Sequence, residues 1–243
     1  MNATTADFDG NGLPDVYVSN VHHKIQAKGS LPWLNDGVKA RESGRFHDEA
    51  MAMGALNERR FGWGAAAGDL DRDGRMDIVQ ANGMVDNIYE PEAPQGTCPD
   101  YWYWNENIAL TAPMVHGYAD RWADLRGRCI FPAEQNRVCL NKGKYFVDVA
   151  PQVGWQAKGA SRGVALANFD SHGSLDVLIT KQFAPAMLYR NKTTQQKAWV
   201  GICLVGNGRT CNRDALGNKV IVAGPHGPQM REQVAANGFS AQS

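Results

Sequence analysis

A nine-residue acidic pattern occurs three times in this chain, each time directly before a run of β-forming apolar residues. The first copy is Asp7-Phe8-Asp9-Gly10-Asn11-Gly12-Leu13-Pro14-Asp15, followed by Val16-Tyr17-Val18. The second is Asp69-Leu70-Asp71-Arg72-Asp73-Gly74-Arg75-Met76-Asp77, followed by Ile78-Val79. The third is Asn168-Phe169-Asp170-Ser171-His172-Gly173-Ser174-Leu175-Asp176, followed by Val177-Leu178-Ile179. Oxygen side chains at positions 1, 3, 5 and 9, with Gly at 6, describe a calcium-binding loop built into a repeat.

Calcium takes roughly 6–8 oxygen ligands from carboxylates, amide and backbone carbonyls, and water. Alternate residues of a tight turn can aim at one centre, and Gly at position 6 permits the positive φ that wraps the chain around an ion. The expected ligands of the first loop are Asp7, Asp9, Asn11, the carbonyl of Leu13, and Asp15. Those of the second are Asp69, Asp71, Asp73, the carbonyl of Arg75, and Asp77. The third loop offers Asn168, Asp170, the carbonyl of Ser174, and Asp176; its position 5 is His172, a poor ligand for a hard cation. Asp, Asn and Gly also make good turns without any ion, but two full matches in a repeat frame favour calcium.

An EF-hand is excluded. That motif needs a Glu at position 12 and a helix on each side. Position 12 here is Val18, Gln80 and Ile179, and the flanking small and β-branched residues read as strands. The loops therefore connect strands, and the position 9 Asp closes each site.

The repeat extends past the loops. Phe46-His47-Asp48-Glu49-Ala50 matches Phe146-Val147-Asp148-Val149-Ala150, and Gly64-Ala65-Ala66-Ala67-Gly68 matches Gly163-Val164-Ala165-Leu166-Ala167. After the loops come residues 25–34, Asn87-Ile88-Tyr89, and Met187-Leu188-Tyr189-Arg190-Asn191. Several short strands per unit suit a four-stranded propeller blade. Asp48 and Asp148 recur with the unit and are expected to cap backbone amides. The loops are spaced by about 62 and then about 99 residues. The excess falls at about residues 83–137, a Pro-containing insertion that also carries Tyr101-Trp102-Tyr103-Trp104. Loops this long usually have a function or pack as a subdomain. Three blades do not close a ring, since propellers use about 4–8, so the chain is expected to be part of a larger propeller.

These loops and strands resemble the FG-GAP/VCBS repeats of integrin-α-type β-propellers. The C-terminal stretch resembles the ASPIC/UnbV module of cartilage-acidic-protein-like and many bacterial secreted proteins. It comprises Trp199 to Gly206, Asn212-Arg213-Asp214-Ala215-Leu216-Gly217-Asn218-Lys219-Val220, Arg231-Glu232-Gln233-Val234, and Gly238 to Ser243. Asn212 to Gly217 is its most specific part. The resemblance implies an all-β fold, with FG-GAP/VCBS propeller repeats over 1–195 and an apparently truncated ASPIC/UnbV-like module over 196–243. It also implies calcium, export, and binding or scaffolding in preference to catalysis.

Charge and cysteines narrow the setting. Lys plus Arg equals Asp plus Glu, at 25 each, so no overall field favours nucleic acid. No apolar stretch is long enough for a membrane-spanning helix. The cysteines are Cys98, Cys129, Cys139, Cys203 and Cys211, none in a CxxC pair. Cys203 and Cys211 flank the turn signal Gly206-Asn207-Gly208, which suggests a hairpin disulfide. Cys98, Cys129 and Cys139 can supply one more bridge around the insertion, assigned to Cys98 and Cys129, leaving one cysteine free or paired outside this segment. Calcium loops and clustered cysteines favour an oxidising compartment, whether secreted, cell-surface or periplasmic.

No GxSxG elbow, P-loop, dinucleotide fingerprint or HExxH appears, so no catalytic residue is assigned. The leading expectation is a calcium-binding, exported scaffold or complex subunit with a protein partner. The alternatives are a glycan-binding module that uses Trp102 and Trp104, and a non-catalytic subunit of an enzyme complex.

Overall fold

The computed structural model describes residues 1–22, 29–37, 45–58, 60–83, 134–155, 159–182, 184–193, 199–224 and 227–235. These residues form thirteen β-strands and no helix, as the all-β reading requires. Among them, no helix is long and apolar enough to cross a membrane.

The strands form three sheets, here called blades, and a separate hairpin. Blade 1 contains β1 (Ala3–Ala6), β2 (Asp15–Val18), β3 (Leu31–Asn35) and β4 (Phe46–Asp48), paired antiparallel in chain order. Blade 2 repeats this with β5 (Gly62–Gly68), β6 (Asp77–Asn82), β7 (Arg137–Asn141) and β8 (Phe146–Asp148). Blade 3 contains β9 (Ser161–Ala167), β10 (Asp176–Lys181) and β11 (Ala184–Tyr189). The hairpin is β12 (Lys219–Gly224) and β13 (Gly227–Glu232).

Each acidic loop joins the first two strands of its blade, with the position 9 Asp as the first residue of β2, β6 or β10. The first strands lie side by side, β5 packing against both β1 and β9. Consecutive blades therefore stack face to face, and each interface is a separate apolar core. The first core joins Phe8, Tyr17 and Leu34 of blade 1 to Ala65, Ile78, Cys139 and Phe146 of blade 2. The second joins Leu70, Val79 and Val138 of blade 2 to Val164, Val177 and Ile179 of blade 3. Alternation along each strand sends successive side chains to opposite faces, so β5, β6 and β7 of the middle blade feed both cores. That explains why β6 is buried along its whole length.

Three expectations are corrected. The third strand of blade 2 is β7, beyond the insertion, and not Asn87-Ile88-Tyr89, which lies outside the described residues. Register decides this: Cys139 pairs with Ile78 as Trp33 pairs with Val16 and Tyr189 with Val177. The insertion thus enters between the second and third strands of a blade. The Phe-x-Asp-x-Ala segments are fourth strands, β4 and β8, so the sequence repeat straddles two blades.

The expected hairpin disulfide is also absent: Cys203 and Cys211 are free, as is the buried Cys139. The turn between Cys203 and Cys211 joins no paired strands. Asn207 Oδ1 instead accepts the backbone amides of Arg209 and Thr210 at 2.9 and 3.0 Å, and Cys211 Sγ lies 3.9 Å from the same oxygen. Cys98, Cys129, Trp102 and Trp104 lie outside the described residues.

Candidate metal centre

The three loops share one backbone solution. Position 6 has positive φ in each, at Gly12, Gly74 and Gly173, and so does position 4, at Gly10, Arg72 and Ser171. The second left-handed residue was hidden from the sequence because two of the three loops use a non-glycine there. With both turns in place, the position 1 side chain folds back over the loop. Asp7 accepts the amides of Gly10 and Gly12 at 2.9 and 3.0 Å; Asp69 accepts those of Asp73 and Gly74 at 3.0 and 2.9 Å.

This wrapping brings the expected carboxylates together. Asp7, Asp9 and Asp15 each place an oxygen within 4.8 Å of the others, and Asp69, Asp71 and Asp77 do the same. Burial pushes Asp15 up to about 6 and Asp77 to about 7, against backbone hydrogen bonds that pull the other way. Asp7 and Asp69 are also raised, again chiefly by burial. Carboxylates crowded and desolvated in this way resist ionising, and a cation held among them would supply the missing countercharge. Asp71 fits that role directly, because its Oδ1 is buried and no donor reaches it. The donor set is all oxygen, which suits a hard divalent ion such as calcium.

The loops differ in what neutralises them. In the second loop Arg231 approaches Asp69 at 3.8 Å, Lys142 pairs with Asp71 at 3.0 Å, and Arg75 pairs with Asp73. Among the described residues, no cationic side chain pairs with the acids of the first loop, Asp7, Asp9 and Asp15. Asn11 turns inward on its own loop, its amide nitrogen 3.0 Å from Asp9.

The third loop has two carboxylates and is braced by arginines. Arg190 and His172 pair with Asp170. Arg72, reaching over from the second loop, donates to the carbonyl of His172 at 2.7 Å and to Ser174 Oγ at 2.6 Å. Asn168 Oδ1 is buried without a partner, at the position that Asp7 and Asp69 hold in their loops. Leu13 and Arg75 sit at position 7 of their loops. The backbone amide of Leu13 donates to Asn11 Oδ1 at 2.8 Å and that of Arg75 to Asp73 Oδ1 at 2.9 Å, which holds the turn before each of these residues.

The position 9 carboxylates do a second job that the sequence did not announce. Asp15 accepts the amides of Phe8 and Asn35 at 2.7 and 2.8 Å. Asp77 accepts those of Leu70 and Asn141, both at 2.8 Å, and Asp176 those of Phe169 and Asn191 at 3.2 and 2.8 Å. Each therefore ties its loop to an asparagine that ends the third strand of its blade or, for Asn191, stands two residues past it. Those asparagines continue the network: Asn141 Nδ2 donates to the carbonyls of Met76 and Phe8, and Asn191 Nδ2 to those of Leu175 and Leu70. The signal for them was the Asn that closes Met187-Leu188-Tyr189-Arg190-Asn191.

Residues 7–79 match the FG-GAP-like repeat family. The match runs from Asp7 into the second strand of blade 2, and so contains both loops in which three carboxylates converge. No curated protein matches the chain. The FG-GAP-like loops are thus the part of the molecule in which geometry and family likeness coincide. Asp48 and Asp148 cap the amides of Ala50 and Ala150 at 2.9 and 3.1 Å, as the repeat predicted.

Proposed function

We propose that this chain is a calcium-binding arc of FG-GAP-like propeller blades, exported from the cytoplasm, which serves as a binding or scaffold subunit of a larger assembly. The observation that carries the reading is the convergence of three carboxylates in each of two loops, with Asp71 Oδ1 buried and unpartnered. Calcium there joins the first strand of a blade to its second and offsets repulsion among acids that are otherwise costly to ionise. Asp7, Asp9, Asn11, the Leu13 carbonyl and Asp15 hold one ion; Asp69, Asp71, Asp73, the Arg75 carbonyl and Asp77 hold the other. The third loop, with Asn168, Asp170, the Ser174 carbonyl and Asp176, is the weakest site, because it brings only two carboxylates and Arg190 already pairs with one of them.

Residues 196–243 belong, in this reading, to an ASPIC/UnbV-like module. Its hairpin reaches the second loop through Arg231, whose guanidinium donates to the carbonyl of Gly74 at 3.2 Å. Export is the setting this reading expects, since extracellular calcium modules bind the ion with dissociation constants of roughly 0.1–1 mM.

The test is calorimetric titration of chelator-treated protein with calcium, alongside elemental analysis of untreated protein. Two sites, one of them lost in Asp71→Asn, are expected. Neither heat of binding nor metal in the untreated sample would reduce the loops to plain turns.

A further inference from the structure

Three cations face the second acidic loop, and they come from different parts of the fold. Arg75 lies in the loop itself and pairs with Asp73, while its Nε donates to the carbonyl of Asn141 at 3.0 Å. Lys142 directly follows β7 of the same blade and pairs with Asp71 at 3.0 Å. Arg231 arrives from outside the blade, on β13 of the C-terminal hairpin. Its guanidinium donates to the Gly74 carbonyl at 3.2 Å and stands 3.8 Å from Asp69 Oδ2.

The loop is shaped to receive that strand. Gln229 and Arg231 alternate along β13 and so share one of its faces. A Cβ at Gly74 would collide with the Gln229 side-chain amide. The position 6 glycine therefore serves twice, giving the turn its φ of 92° and leaving room for the hairpin. The third loop is covered in the same way, since a Cβ at Gly173 would collide with the Trp199 ring. The C-terminal segment thus sits on the backbone of both loops.

Asp69 is the shared element. It is a calcium ligand in the reading above, and it is also the acid that Arg231 approaches. Both its oxygens already accept loop amides, from Asp73 and Gly74. A divalent ion among Asp69, Asp71 and Asp77 takes up the negative charge that attracts Arg231, and repels the guanidinium at close range. Lys142 can yield by swinging its own side chain. When Arg231 yields, the hairpin loses an ion pair and a hydrogen bond to blade 2.

We infer that Arg231 sets the calcium affinity of the second loop, and that the ion and the docked hairpin compete for Asp69. Such coupling is reciprocal. The docked hairpin weakens calcium binding, and calcium loosens the hairpin by the same factor. The second loop is thereby a calcium-sensitive latch for the C-terminal segment. The inference rests on the calcium reading of this loop.

Calorimetric calcium titration of the full chain carrying Asp9→Asn, which removes a ligand from the first loop, tests it. Heat that Asp71→Asn abolishes belongs to the second loop. Arg231→Met removes the charge and should raise the affinity of that site about tenfold, within the roughly 5–150-fold range of such couplings. Arg231→Lys keeps the charge and should bind calcium as the chain with Arg231 does. The Arg231 side chain is 35% exposed, so both variants should keep the circular dichroism spectrum. Hydrogen exchange of the chain with Arg231 gives the reciprocal readout. Calcium should speed exchange along β13 while slowing it along β5 and β6, opposite signs that uniform stabilisation does not produce. Equal affinity with and without Arg231→Met overturns the inference, as does an equal rise in the Met and Lys variants. Exchange along β13 that calcium slows or leaves unchanged also overturns it. The calcium site survives all three of those results. Absence of binding heat in every variant instead removes the calcium reading, and the latch with it.

Discussion

The Asn141 side-chain amide donates to the Phe8 carbonyl at 2.7 Å across 133 residues of sequence. The same amide holds the Met76 carbonyl, its oxygen accepts Gly143 N, and its backbone amide is held by Asp77. One fully buried residue thus joins the acidic loops of blades 1 and 2 to each other and to β7.

Asn141→Ala should consequently destabilise the fold by about 3 kcal/mol, since it leaves buried carbonyls and an amide without partners. Asn35→Ala removes the equivalent bonds at a half-exposed edge, where water replaces them, and should cost about 1 kcal/mol. Urea titration of both variants measures the difference; equal losses would mean the inter-blade bond contributes nothing.

Aromatic truncation should show the same asymmetry. Phe146→Ala opens a cavity in the first core and should cost about 3–5 kcal/mol. Phe46→Ala, at the counterpart position, should change the stability of the isolated chain by less than about 1 kcal/mol. Thermal melts at low protein concentration compare them.

Calcium at about a hundred times its dissociation constant should stabilise the protein by about 2.7 kcal/mol per site. For a chain of this length that raises the melting temperature by about 5–10 °C. Asp71→Asn keeps the shape of the side chain and removes its charge, so part of the rise should vanish. A melt that ignores both calcium and this substitution would contradict the metal reading.

Glu134 gives a pH signature away from the loops. Burial pushes its carboxyl up to about 7, although it accepts the Phe61 amide at 2.8 Å. The folded state holds this proton more tightly than the unfolded chain does. The contribution to stability is therefore complete below about pH 4.5 and is lost as pH rises to about 7. Glu134→Gln retains an acceptor for Phe61 and should remove that slope, gaining about 1–3 kcal/mol over wild type at pH 8. Parallel denaturation curves at pH 5 and 8 read this out; identical slopes in the two proteins would place the proton elsewhere.

Cys139 and Cys203 should separate by accessibility. Cys139 is buried in the first core, and burial pushes its thiol up to about 12, whereas Cys203 is exposed. A maleimide should label Cys203 within minutes and Cys139 only after unfolding, as peptide mass spectrometry resolves.

Local chemistry was readable in the residues themselves. Gly at position 6 and alternating oxygen side chains dictate a wrapped loop, because backbone sterics and ligand geometry act over a few neighbours. The β-branched runs after each loop dictate strands for the same reason. The recurring Phe-x-Asp-x-Ala showed that the unit repeats, and its Asp caps Ala50 and Ala150 as the spacing implied. Long-range pairing was not readable. Nothing near Asn87 or Asn141 in sequence says which one completes blade 2; the register of Cys139 against Ile78 does. A turn such as Gly206-Asn207-Gly208 specifies a bend but not the strands that would bring Cys203 to Cys211. Only the stacked blades decide that Phe8 and Phe146 are core while Phe46 and Phe169, of the same type and repeat position, face outward. Burial is a property of what stands opposite a side chain, and the sequence of a repeat is nearly the same whether or not a neighbour is there.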